Sequence, residues 1–147
     1  MSKADTTTVT AIHNGTNHSV DVQNTSIDLG STIHDKATVS STNNSFTIDG
    51  TVTYKYFTNL TCGDGSANED KAVGAESSSH GPLHAGDYSF QAVYGGNGDY
   101  NGSSDGCEKV HVNQATTTTV TAIHNGANHS VDVQNTSIDL GSTIHDK

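Results

Sequence analysis

The sequence predicts an all-β protein, an antiparallel β-sandwich consisting of one full repeat plus the first strands of a second. Three observations carry that expectation. Period-two runs rich in Val, Thr and Tyr are separated by Gly, Asn and Asp turns at intervals of roughly 10 to 15 residues. No stretch has the apolar period of an amphipathic helix. The stretch Thr6–Lys36 (TTTVTAIHNGTNHSVDVQNTSIDLGSTIHDK) recurs as Thr117–Lys147, offset by 111 residues and differing only at Thr16 against Ala127. A fixed long period between near-identical copies marks a tandem array. The chain therefore divides into a sandwich repeat over 1–115 and a partial second repeat over 116–147, the copy of 6–36.

Each element has a local reason. Residues 6–12 alternate and read as the first strand, followed by an Asn-Gly turn over 13–18. Residues 19–23 alternate again, with Val20 and Val22 on one face, and 26–30 end in Gly30. A second strand is expected over about 31–40, where Ile33, Ala37 and Val39 share a face that Asp35 interrupts. The strongest strand pattern is 50–57, with Val52, Tyr54 and Tyr56 on one side and Thr51, Thr53 and Lys55 on the other. Within 63–80 the acidic run DGSANED reads as a loop, and KAVGAES as part of a strand pair or one helical turn, context favouring the strand pair. Residues 87–94 place Tyr88, Phe90, Ala92 and Tyr94 on one face. A Gly/Asn/Asp-rich hairpin loop (95–106) leads to the last strand, 107–113, with Val110 and Val112 inward. Residues 114–119 run straight into the next copy, so successive modules should be joined stiffly. With no Trp in the chain, Tyr54, Tyr56, Phe90 and Tyr94 must supply the core's bulk.

Composition narrows the function. Hydrophobic residues make up 31% and charged residues only 15%, which argues for a thin core rather than charge-driven disorder. The net charge of −10, with six Lys and no Arg, disfavours a nucleic-acid partner and an anionic membrane surface. No apolar run is long enough to insert into a membrane. No secretory signal is read at the short polar start, MSKAD.

The candidate chemistry is sparse. Cys62 and Cys107 lie 45 residues apart in one repeat and read either as a disulfide or as two buried thiols. The disulfide is favoured because the chain otherwise looks extracellular, and no four-ligand set for structural zinc is present. Sequons for N-glycosylation occur at Asn14, Asn17, Asn24, Asn43, Asn59, Asn101, Asn128 and Asn135. Composition alone would give about three or four, so glycosylation is a real candidate, although duplication contributes part of the excess. For calcium, Asp99 and Asp105 in the 95–106 loop are weak candidates. Asx-rich turns arise as readily for backbone reasons.

The nine histidines are expected to be solvent-exposed and no metal site is expected. His80 and His84 are separated by Gly81-Pro82, which prevents a helix, and His13 and His18 merely flank a turn. No cofactor is expected. No nucleophile elbow, paired carboxylate motif or phosphate loop is present, so the chain is not expected to be an enzyme.

Several stretches resemble the bacterial and archaeal Ig-like domains repeated in tandem on large cell-surface proteins, of adhesin or S-layer-like type. These are LGSTIHDKATV at 29–39, GTVTYKYF at 50–57, GPLHAGDYSFQAVYGGNGDYNGS at 81–103 and CEKVHVN at 107–113, and their order covers the whole 111-residue unit. The resemblance implies an Ig-like sandwich acting as a structural or adhesive module, located extracellularly at the cell surface. Its expected partners are neighbouring repeats or subunits of the same protein, with a glycan or protein ligand as an alternative. It implies no activity. Some relatives carry cysteines at matching places, which supports a Cys62–Cys107 bridge. A further alternative is strand exchange, in which 117–147 completes a neighbouring subunit and builds a filament.

Overall fold

The computed structural model describes residues 2–15, 18, 20–126, 129 and 131–147. Among them the chain is all-β. The strands in order are β1 (Thr7–Asn14), β2 (Ser26–Ile27), β3 (Ile33–Ser40), β4 (Thr51–Phe57), β5 (Ala67–Ala72), β6 (Gly86–Tyr94), β7 (Ser103–Ser104), β8 (Glu108–Val112), β9 (Ile123–Asn125) and β10 (Ile144–Asp146). Two compact units form, Met1–Ala115 and Thr116–Lys147. No described helix is long and apolar enough to cross a membrane.

The first unit is a two-layer sandwich. One layer is a sheet of order β2-β8-β6-β4-β5, with β7 also paired to β6, and the other is the antiparallel pair β1-β3. The core lies between them because every inward face follows the period of two. In β6, Tyr88, Phe90, Ala92 and Tyr94 are all buried, as the alternation predicts. Cross-strand pairing sets Tyr54 opposite Ala92 and Tyr56 opposite Phe90, large against small or aromatic against aromatic, which stabilises an antiparallel pair.

One half of the core gathers Ile12, Val22, Ile27, Ile33, Leu83, Tyr88, Phe90, Val110 and Val112. The other gathers Ala37, Val52, Tyr54, Ala92, Tyr94 and Tyr100. The tyrosines serve as apolar bulk and also satisfy buried backbone groups. The Tyr54 hydroxyl accepts from Ala37 N and donates to Ala75 O, both at 2.8 Å. Tyr94 donates to Asp49 O at 2.8 Å.

Cys62 and Cys107 form a disulfide, with Cα atoms 5.7 Å apart. It ties the segment after β4 to the start of β8. The 95–106 loop is tight for a backbone reason. A Cβ at Gly96, where φ is +79°, would lie 2.7 Å from Tyr100 O, and one at Gly102 would lie 2.6 Å from Tyr94 O. Only glycine fits a chain folded back this closely.

The all-β sandwich is as expected, and to its antiparallel pairings it adds one short parallel one, β2 to β8 through Ser26↔His111 and Ile27↔Val112. Several expectations need correction. The last four residues of the acidic run read as a loop open edge strand β5, which continues to Ala72 and pairs with β4 in the register Tyr54↔Glu69. Its side chains face solvent on both sides, so no apolar alternation marks it, and its charges suit an unpaired edge. Val20 and Val22 do not share a face. Val22 is buried and Val20 exposed, since 20–23 touch β1 only through the single bridge His13↔Asp21. At the end of β4, Phe57 is buried and Tyr56 only half-buried.

Candidate functional site

The clearest concentration of functional side chains lies at one end of the β1-β3 pair. The antiparallel register sets His13 directly opposite His34. Ile12, Ile33 and Asp35 point to the core, so His13 and His34 occupy the other face. Both are nevertheless buried. His18, from the turn after β1, meets them there. The ring centroids lie 5.4 Å apart for His13–His34, 4.9 Å for His18–His34 and 6.0 Å for His13–His18. His34 Nε2 and His18 Nδ1 are 3.1 Å apart.

A carboxylate stands beside two of the three rings. Residues 76–80 run along the free edge of β3 through the bridges Lys36↔Glu76 and Ile33↔His80. Glu76 Oε1 lies 3.1 Å from His18 Nδ1, and Oε2 lies 3.7 Å from His34 Nε2. Lys36 Nζ stands 3.9 Å from the same carboxylate and donates to Gly74 O. Burial lowers the His34 pKa first of all, Glu76 raises it, and His13 and His18 lower it again. His34 is thus favoured as a neutral imidazole with a lone pair to offer.

The second unit repeats this arrangement. β9 and β10 pair with His124 opposite His145. His129 Nδ1 lies 2.9 Å from His145 Nε2, with ring centroids 4.6 Å apart. In each unit the three histidines offer ligand atoms within 4.8 Å of one another. The expectation of solvent-exposed histidines is therefore overturned for His13, His34 and His124, which are buried, while His18 and His129 are exposed as expected; what the sequence did not show is that these five gather with His145 in two groups of three. His80 and His84 stay apart in role. His80 stacks on Tyr56 with centroids 3.8 Å apart, while the His84 carbonyl accepts from the Tyr88 hydroxyl.

The weak calcium candidates are not brought together. Among the described residues Asp99 and Asp105 belong to no cluster of three ligand side chains. Asp105 instead accepts from Thr10 N at 2.7 Å and Thr10 Oγ1 at 3.1 Å. The neighbouring Asn97 side chain accepts from the Asp99 and Tyr100 amides, a turn that needs no ion.

A second polar feature is inside the core. Asp35 is fully buried, and neither carboxylate oxygen finds a hydrogen-bond partner among the described residues. Desolvation first, then the charge of Glu108, pushes its pKa up to about 8. Glu108, also buried, is raised to about 7 by desolvation against a hydrogen bond from Thr10. Lys36 and Lys55 are half-buried at most, so neither is the enclosed amine that a covalent crosslink to a carboxyl group would require.

Of the sequon asparagines, Asn24, Asn43, Asn101 and Asn135 are exposed and Asn14 and Asn59 are half-buried. Asn17 and Asn128 lie outside the described residues. The Asn101 side-chain amide donates to Asp5 Oδ1 at 2.8 Å. Glu76 escaped the sequence reading, since nothing local marks a lone glutamate on a bridging segment. The histidines did leave a signal: six of the nine fall inside the duplicated stretch. Compared with known proteins, the chain matches no family model, no curated protein and no solved structure.

Proposed function

We propose that the chain is a structural module of a tandem array, a stiff spacer in an extracellular surface protein or filament. The observation that carries this reading is the near-identity of Thr6–Lys36 and Thr117–Lys147 at a spacing of 111 residues. The division into units between Ala115 and Thr116 falls at the same boundary. β8 ends at Val112, so only four residues, 113–116, precede the second copy. A junction this short favours a stiff array. The disulfide supports an oxidising compartment, and the exposed sequons suit a glycosylated surface. A direct test is a glycan and protein array probed with the 147-residue chain at high concentration. The spacer role predicts no saturable binding. Saturable binding would make it an adhesive ligand-binding module instead.

Strand exchange between subunits is a second reading, supported by the exposure of core-type residues in the second unit. Ile12, Ile27 and Ile33 are 0%, 6% and 0% exposed, whereas their counterparts Ile123, Ile138 and Ile144 are 37%, 40% and 53% exposed. Such side chains gain about 1.5 kcal/mol or more each on full burial. Taking the place of residues 6–36 in the first unit of another subunit would bury them. This reading predicts that the mass from light scattering, measured in EDTA, rises with concentration, and that Ile138→Asp with Ile144→Asp abolishes the rise. A constant monomeric mass would discard it.

A further inference from the structure

We propose that His13, His18 and His34 with Glu76 in the first unit, and His124, His129 and His145 in the second, each form a binding site for a divalent transition metal, with zinc as the fitting ion. The donor spacing supports this. Two nitrogens bound tetrahedrally at about 2.0–2.1 Å from a zinc ion lie about 3.3 Å apart. The facing nitrogens are 3.1 Å apart in His34–His18 and 2.9 Å in His145–His129, and the third ring stays within 4.8 Å. A small closure of the third ring completes a trigonal set.

The ligand type selects the class of ion. Three imidazoles suit zinc, copper or nickel, whereas calcium and magnesium require several oxygens. In the first unit Glu76 stands beside two of the three nitrogens, His18 Nδ1 and His34 Nε2, and on closing toward the ion would add one oxygen donor to the three-imidazole set. In the second unit the described residues supply three nitrogens.

Packed imidazoles could also gather simply to fill space and share one hydrogen bond. Two observations weigh against that. The carboxylate of Glu76 is aimed at the same two nitrogens that face each other, so three donors converge on one volume. The histidine arrangement also recurs in the second unit, where no carboxylate stands beside the three rings among the described residues. It is thus a property of the 31-residue stretch and not of the surroundings.

Two of the ligands are fixed by the backbone, since His13↔His34 and His124↔His145 are direct register partners. The third comes from the connection between the strands. A bound ion would therefore clip that connection to the hairpin and lock its register, a gain largest where hydrophobic burial is least.

The test is to titrate the intact 147-residue chain with Co²⁺ as a spectroscopic probe, then with Zn²⁺. The expected result is the visible absorption of four-coordinate Co²⁺, saturating at two ions per chain and displaced by Zn²⁺. His18→Ala should leave one ion, and His18→Ala with His129→Ala none. Both residues are exposed turn positions, and circular dichroism checks that the variants fold. Glu76→Gln should weaken one site by roughly tenfold or more and leave the other unchanged. Wild-type chain showing no such absorption at about 100 µM metal would overturn the proposal. So would a His18→Ala, His129→Ala variant that still binds two ions, because the metal would then sit on other histidines.

Discussion

Replacing Cys62 and Cys107 together with serine lowers the stability of the first unit by about 4 kcal/mol. The bridge closes a loop of 45 residues, and the chain entropy such a crosslink removes from the unfolded state corresponds to about that value. For a domain of this size the loss appears as a fall in unfolding temperature of roughly 15 °C or more. Urea unfolding of the oxidised protein, the reduced protein and the double serine variant measures it. The reduced protein and the variant should agree. A change below about 1 kcal/mol would mean that the unfolded chain is already restrained across this loop.

The fold is expected to lose stability as pH rises from 5 to 9, and Asp35→Asn should remove most of that loss. The sign follows from the direction of the shifts. The carboxyl groups of Asp35 and Glu108 have folded-state pKa values raised to about 8 and about 7, so the folded state holds protons that the unfolded state releases near pH 4. Their contribution is complete below the unfolded values and is lost as pH rises through the folded ones. Each group can contribute up to about 1.4 kcal/mol per pH unit within its window. Asp35→Asn should therefore be near neutral at pH 4 to 5 and stabilise by about 2 kcal/mol or more at pH 9. His34, with its lowered pKa, acts in the opposite sense at mildly acidic pH, so the difference between wild type and variant is the quantity to follow. Thermal unfolding in EDTA across this range provides it. A difference that does not grow with pH would show that Asp35 is ionised in the fold.

How much of this was legible in the sequence depended on which side of each strand faced solvent. Strands β1, β3, β4, β6 and β8 have one face on the core and one outside, so a period of two is written into them. Asp35 was likewise visible as the break in an apolar face, and it does sit on the core side of β3. β5 was not legible, because an edge strand solvated on both faces leaves only polar residues to read. β2 was equally obscure: two residues cannot establish a period, and parallel pairing leaves no hairpin turn in the sequence. The histidine group was hidden for another reason. His13 and His34 are 21 residues apart, and they meet only through the β1-β3 register, which fixes Ile12 opposite Asp35 and therefore His13 opposite His34. No local motif spacing encodes that encounter.

The Cys62–Cys107 bridge has a consequence for a chain under load. Tension pulling on the two ends of the first unit enters through β1 and leaves through β8, and the covalent link short-circuits everything between residues 62 and 107. The enclosed residues amount to about 150 Å of contour length at roughly 3.4 Å per residue. An oxidised module that yields would lengthen by that much less than a reduced one. The bond therefore sets how far the first unit can stretch, and the redox state of its surroundings becomes a control on that extensibility.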